Sequence, residues 1–225
     1  MGNASVWFVI AVVALLAGIG LLIADRTRGD GGTRDRRRWA ALREWEFVES
    51  DPVLPSRWRY GTIHQGGPGI ARNLVSGNVP THQGPRQAYV FDHEQHGRIS
   101  SVLAAVQVQS QLPAAVELRL PSAPLPDDAG LDLLAPVGER YAFVSDAEAV
   151  KPLLTPELAD AGNAVGNDIE LLWAEDAWVL AAAPVDATTE RLQDLLADMA
   201  EVAHALEEGQ GAARHRLSKP DSNKS

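Results

Sequence analysis

The densest group of side chains that could carry out chemistry lies between Asp92 and His96, where the chain reads Asp-His-Glu-Gln-His. Imidazoles and carboxylates are the side chains that bind zinc and other divalent ions. In a continuous β-strand, however, His93 and His96 would point to opposite faces of the sheet. They converge only if the chain turns, which the following Gly97 permits. A metal site with His93 and His96 is therefore one hypothesis, and a solvated hairpin end is the alternative that the pattern favours.

Other sequence signals of catalysis are missing. The chain has no cysteine, which excludes disulfide frameworks, thiolate metal sites and cysteine nucleophiles. It also lacks a phosphate-binding P-loop, a dinucleotide-binding glycine motif, a serine nucleophile elbow and a His-Glu-x-x-His zinc motif. The adjacent carboxylates Glu175 and Asp176 lie at an expected turn, which favours solvated surface over a catalytic cleft. We predict no catalytic residues and no cofactor, and therefore a protein that is not an enzyme.

Alternating apolar and polar residues predict the elements that would position these side chains. Period-2 patterns, separated by short turn-rich segments, occur around Trp45 and Phe47 and in residues 86–92, 99–109 and 115–120. In the last of these the pattern points Glu117 and Arg119 outward. Short connections are typical of an antiparallel meander rather than of βαβ units.

Two further patterns complete the predicted domain. The apolar runs 168–174 and 177–183 flank Glu175-Asp176 and predict a hairpin that sets Trp173 opposite Trp178, unless a different turn shifts the register. Apolar residues spaced three and four apart from Leu192 to Leu206 predict a long helix. The expected fold class is α+β: an N-terminal transmembrane helix, then a mainly antiparallel β-sheet domain covered by a long C-terminal helix.

Residues 6–24 form an uncharged apolar run of 19 residues, close to the length that crosses a bilayer. No Lys or Arg precedes it and no small-residue cleavage site follows, so a retained anchor is favoured over a cleaved signal peptide. Arginines follow the run, which predicts an inner-membrane protein with its N-terminus outside and its C-terminal domain in the cytoplasm. Four of these arginines are the candidates for contact with anionic headgroups: Arg34, Arg36, Arg37 and Arg38.

Charge divides the chain into regions and excludes one class of partner. Residues 25–43 carry seven arginines against three aspartates, whereas residues 44–213 carry nine basic against 26 acidic side chains. A formal net charge of -10 argues against nucleic-acid binding. The predicted organisation is a transmembrane helix (6–24), a basic juxtamembrane linker (25–38), a cytoplasmic α+β domain (39–208) and a disordered tail (209–225).

Several segments resemble a known family. They are WEFVESDPVLPSRWRYG (45–61), ARNLVSG (71–77), AYVFD (88–92) and DIELLWAEDAWVL (168–180). Together with the apolar run and its arginines, they resemble a group of actinobacterial membrane-anchored proteins, the family of the mycobacterial trehalose monomycolate transport factor. The resemblance implies a cytoplasmic α+β domain that has no known catalytic residues. It also implies that the domain assists a polytopic inner-membrane transporter exporting mycolate precursors to the cell envelope.

Two functional hypotheses of different classes follow. The first is a non-enzymatic single-pass accessory protein that docks on an envelope lipid transporter or assembly complex. Trp58, Arg59 and Tyr60 are its interface candidates because Trp, Tyr and Arg dominate binding hot spots, although packing against the sheet is the alternative for each. The second is a domain that binds a lipid or small amphiphile, which requires an apolar pocket of at least about 300 Å³.

Overall fold

The computed structural model describes residues 32–125 and 130–218. All strand pairs in this part of the chain are antiparallel, and they join into one nine-stranded sheet in the order β1-β2-β3-β4-β9-β8-β5-β7-β6. The strands are β1 (Glu46–Asp51), β2 (Ile70–Val79), β3 (Arg86–Gln95), β4 (Arg98–Gln107), β5 (Val116–Arg119), β6 (Asp132–Val137), β7 (Arg140–Val144), β8 (Leu171–Glu175) and β9 (Trp178–Ala183).

The helices are shorter, except for the last. They are α1 (residues 32–42), α2 (Thr62–Gly66), α3 (Ala147–Val150), α4 (Pro156–Ala164) and α5 (Thr189–Ser218), with 3₁₀ turns at Leu54–Arg57 and Lys151–Leu153. Thr155 is the N-cap of α4, because its hydroxyl accepts a hydrogen bond from the Leu158 N–H. Pro156 follows at the first position of the helix, where proline is favoured. The predicted antiparallel sheet and long C-terminal helix are both confirmed.

Helix α5 covers one face of the sheet, which we call the helix face. It lies over β4 and β9, and its apolar stripe is buried against alternate residues of β4 such as Val102, Ala104 and Val106. The stripe comprises Leu192, Leu195, Leu196, Met199, Val202, Ala203 and Leu206. The apolar stripe of the helix, which repeats every 3.6 residues, therefore packs on the apolar side chains of β4, which repeat every two residues, as the sequence predicts.

A segment without long elements covers the opposite face, and we call it the strap (residues 52–69). Its apolar side chains, including Trp58 and Ile63, pack on Phe91, Leu103 and Trp173 of the sheet. Both faces of the sheet are thus covered over its central strands. The prediction that Glu117 and Arg119 point into solvent is wrong, because the strap lies over them and they are almost fully buried.

The predicted β8–β9 hairpin forms, but its strands pair in a different register from the one that sets Trp173 opposite Trp178. The turn lies at Asp176-Ala177, so that Glu175 pairs with Trp178 and Trp173 pairs with Leu180. Asp176 adopts a left-handed φ of 51°, a conformation that Asp tolerates better than most residues. The register moves by two residues, so the same side chains share a face, but the two tryptophans are not opposite each other.

Both predicted boundaries of the folded domain need correction. Residues 32–38, assigned to a linker, are helical in α1, and Arg36 and Trp39 are buried against the sheet. The predicted tail from residue 209 is also wrong as far as Ser218, because α5 continues to that residue and buries Gln210. Among the described residues no helix is long and apolar enough to span a bilayer; the predicted span, 6–24, lies outside them.

Candidate functional site

The two histidines of the metal hypothesis are not brought together. His93 lies on β3 under the strap, fully buried, with Nε2 2.9 Å from the Pro68 carbonyl oxygen. Burial lowers the pKa of His93, although the bond to Pro68 opposes this. His96 is exposed in the β3–β4 turn with φ of 51°. The described residues contain no group of three His, Asp or Glu side chains placed to hold a metal ion.

The three interface candidates lie in the strap and have different environments. Trp58 is 2% exposed and stacks on Phe91, with ring centroids 6.1 Å apart. It therefore packs in the core, and its assignment to an interface is wrong. Tyr60 is half-buried against the same apolar cluster, whereas Arg59 is exposed. Arg59 is thus the member of this trio whose side chain is open to a partner.

A buried carboxylate fixes the strap at this point. Glu175 accepts hydrogen bonds from the backbone N–H groups of Arg59 (2.9 Å) and Tyr60 (3.1 Å) and from the indole N–H of Trp173 (3.1 Å). Burial raises the pKa of Glu175, and these hydrogen bonds oppose the shift. The interpretation of Glu175 as a solvated turn residue is therefore wrong, because it is 3% exposed.

A second buried carboxylate continues the same arrangement. Glu117 is completely buried, accepts the Gly61 N–H at 2.6 Å, and forms an ion pair with Arg119 at 2.6 Å. Three successive backbone N–H groups of the strap, those of residues 59–61, thus donate hydrogen bonds to two carboxylates of the sheet. Because every carboxylate here has a partner, this cluster has the features of a structural clamp and not of an acid–base pair. The alternation of apolar and polar residues in β5 does not predict that Glu117 is buried in such a cluster.

A polar clamp also attaches α1 to the helix face. Arg36 forms an ion pair with Asp92 at 3.3 Å, and the Asn73 amide donates to the other Asp92 oxygen at 2.7 Å. Burial lowers the pKa of Arg36, while Asp92 opposes the shift. The prediction that Arg36 lies at the membrane surface is wrong, because its side chain is enclosed by protein. The other three arginines of this prediction are exposed on α1, although Arg37 also forms an ion pair with Glu49: Arg34, Arg37 and Arg38.

A wide groove lies beside this clamp. A groove of about 1020 Å³ runs between α1 and the segment that leads into α5. Trp39 and Arg36 lie on the α1 side, and residues 185–190 lie on the other. A smaller groove of about 420 Å³ lies between the strap and residues 167–171, and it is lined by apolar side chains such as Leu171 as well as by polar ones such as Thr62 and Arg119.

The part of the core under α5 is filled. Between β5, β8 and α5, the space lined by apolar side chains has a volume of about 10 Å³, no more than one water molecule needs. It is lined by Val116, Leu118, Leu158, Leu172, Trp173, Ala174, Val179, Val202 and Leu206. This space is therefore far below the roughly 300 Å³ expected of a lipid pocket.

Known proteins similar to this chain share one description. The family model for "Trehalose monomycolate transport factor TtfA" matches residues 3–206. Trehalose monomycolate transport factor A of Mycolicibacterium smegmatis is 24% identical over 187 residues, which are 83% of this chain and 64% of the relative. The chain thus spans just under two thirds of that relative's length.

A solved structure agrees with the fold described above. The crystal structure of the mycobacterial trehalose monomycolate transport factor A superposes with a TM-score of 0.68 and 22% identity, covering 77% of this chain and 93% of that one. The structural match supports the fold, and the family match extends over most of the sequence, from the apolar run to the middle of α5. On that match, this chain belongs to the trehalose monomycolate transport factor TtfA family.

Proposed function

We propose that this protein is a non-enzymatic, membrane-anchored accessory factor for a transporter of trehalose monomycolate or a closely related envelope lipid. The observation that carries the proposal is the family match over residues 3–206, which includes the apolar run and most of the folded domain. Residues 6–24 would anchor the chain, and exposed Arg34 and Arg37 would face anionic headgroups on the cytoplasmic side.

The filled core supports an accessory role over lipid carriage. A carrier must enclose an acyl chain, and the apolar space of about 10 Å³ under α5 holds none. The buried carboxylates are also occupied by backbone N–H groups of the strap. This domain would therefore act through its surface, by contact with the transporter.

The test is purification of the full chain, tagged at its C-terminus, from native membranes, with its partners identified by mass spectrometry. We expect one polytopic lipid transporter in near-stoichiometric amount, and the chain itself to stay in the membrane after alkaline carbonate extraction. Recovery of the protein alone, with lipid bound in molar amount, would instead support the amphiphile-binding alternative. Extraction by carbonate would contradict the anchor.

One variant pair makes this test specific for the strap. If exposed Arg59 contacts the transporter, Arg59→Ala lowers its recovery by about tenfold, as loss of a hot-spot side chain costs 1–2 kcal/mol or more. Arg57→Ala is the matched control, because Arg57 is also exposed in the strap. Equal recovery with both variants would remove Arg59 from the interface and leave the rest of the proposal intact.

A further inference from the structure

The groove between α1 and the start of α5 has an acidic and apolar rim. Exposed Asp35, Asp186 and Glu190 line it, against one exposed arginine, Arg38. The other basic groups are engaged: Arg36 is paired with Asp92, and Arg43 is half-buried over the rings of Trp39 and Trp45.

Two large apolar side chains lie open beside these charges. Leu42 on α1 is 76% exposed and Val185 before α5 is 59% exposed, and both line the groove. These two side chains flank one concave surface, so they add apolar contact area to its charged rim. A ligand for this groove therefore combines positive charge with apolar side chains.

From this rim we infer that the groove docks the basic cytoplasmic end of a membrane-spanning helix of the partner protein. The inference rests on the proposed function, since it needs the chain to be held at a membrane. Cytoplasmic ends of membrane helices are rich in Lys and Arg and adjoin an apolar segment, which is the chemistry that the rim requires. An anionic lipid surface fits this groove poorly, because its three exposed carboxylates outnumber the one exposed arginine, Arg38, and would repel anionic headgroups.

The position of the groove in the chain agrees with this occupant. Only residues 25–31 separate the apolar run from α1, and seven residues span at most about 25 Å even when fully extended. The groove therefore lies within reach of the cytoplasmic membrane surface, where the ends of neighbouring helices emerge. Arg36 and Asp92 hold α1 on the sheet, so this side of the groove is preformed.

The size of the groove also agrees. A helix about 10 Å across that rises 1.5 Å per residue fills roughly 120 Å³ per residue. The volume of about 1020 Å³ thus accommodates about two turns of helix, enough for one or two basic side chains at the acidic rim and one apolar turn beside Leu42 and Val185.

The experiment is site-specific photocrosslinking of the full chain in native membranes. p-Benzoylphenylalanine replaces Val185 in one variant and Val53, 67% exposed in the strap, in a control variant. Crosslinked peptides are then sequenced by mass spectrometry. We expect the Val185 probe to label a Lys/Arg-rich segment adjoining an apolar run in a polytopic membrane protein, and the Val53 probe not to label that segment.

Charge reversal tests the rim itself. Asp35→Lys combined with Asp186→Lys should lower that crosslinked fraction about tenfold, since two lost attractions and two new repulsions are worth about 1.4 kcal/mol or more. Asp132→Lys combined with Asp160→Lys, two exposed acids outside the groove, should leave it unchanged. Melting curves of both double variants must match the parent, so that lost folding cannot imitate lost docking.

Each other occupant overturns the inference. Adducts with residues 25–31 of the same chain, with a second copy, or with lipid would each assign the groove differently. No adduct at Val185, while tag purification still recovers the transporter, would reject this surface and leave the proposed function standing. If neither experiment yields a membrane protein partner, the proposed function fails as well.

Discussion

At the scale of single residues, the buried carboxylates under the strap do the most to fix its path. Glu175 alone accepts three hydrogen bonds, two from the strap backbone and one from the indole of Trp173. A charged group is costly to bury, and it remains acceptable here because each oxygen has donors. The side chain therefore acts as a structural acceptor whose charge state matters to stability.

The Glu175→Gln variant tests this. An amide has one acceptor oxygen, and its N–H₂ would face N–H donors, so we expect a loss of about 1–3 kcal/mol in unfolding free energy at neutral pH. Because burial raises the folded-state pKa, native Glu175 takes up a proton at higher pH than unfolded Glu175 does. Stability of the parent relative to the variant should therefore increase as pH falls from 8 through the folded pKa, levelling off below the ordinary carboxyl pKa. Urea unfolding across pH 4–8 measures both effects, and a flat difference would contradict the pKa argument.

Gly61 tests the contact between the strap and the sheet. Its φ is +65°, and an added Cβ would lie 2.6 Å from the Trp173 ring. We expect Gly61→Ala to destabilise the protein by about 2–4 kcal/mol, from backbone strain plus the clash. Gly67→Ala is the matched control, because Gly67 has φ of +79° but nothing within 4 Å of the added atom. Equal losses in thermal unfolding would show that Trp173 moves aside.

The sequence indicates these residues only in part. Alternation in β5 correctly places Val116 and Leu118 on one face of the sheet. It cannot show that Glu117 and Arg119, on the other face, are also covered by protein. That cover comes from the strap, whose Gly, Pro and Arg content is typical of a surface loop. Burial of Glu117 and Glu175 depends on backbone N–H groups 56 and 115 residues away along the chain, which no local pattern contains.

At the scale of elements, α1 is a docked helix and not a tether. Arg36→Met should leave Asp92 largely buried with only the Asn73 amide, at a cost of about 3 kcal/mol. Amide hydrogen exchange in residues 36–42 should then accelerate more than exchange in β3. Arg37→Met is the control, since its pair with Glu49 is exposed and worth less than about 1 kcal/mol. Unchanged exchange in α1 would mean that Trp39 and Ala40 suffice to hold it.

Element boundaries show where sequence reasoning fails. Gly209 and Gly211 interrupt the apolar stripe of α5, so a helix end near residue 208 is the natural prediction. The helix continues because Gln210 is buried and bonds to Ser110 and to the Gln111 carbonyl. For the 15 residues from Leu192 to Leu206, the spacing of the apolar residues alone was sufficient to predict the helix.

At the scale of the whole molecule, one sheet carries two apolar layers that must form together. Trp39 and Trp45 belong to the helix-face layer, and Trp58, Trp173 and Trp178 belong to the strap-face layer. Because every strand contributes side chains to one or both layers, we expect a single cooperative unfolding transition.

Fluorescence can separate the two layers. Variants of the full chain in detergent, with tryptophan kept only on the helix face or only on the strap face and phenylalanine elsewhere, should each unfold at the midpoint that far-UV circular dichroism gives for the same variant. Loss of the strap-face signal at lower denaturant, before the sheet unfolds, would show that the strap opens independently.

The strand order has a consequence for how the chain is made. The β8–β9 hairpin lies in the middle of the sheet, where β9 pairs with β4 and β8 pairs with β5. During synthesis, β4 therefore has no partner on one side until about 75 further residues have left the ribosome. Contacts so distant in sequence form slowly, and an apolar strand edge that waits for them is prone to aggregate. We expect nascent chains that end before residue 171 to need a chaperone, and chains that extend beyond α5 to fold without one.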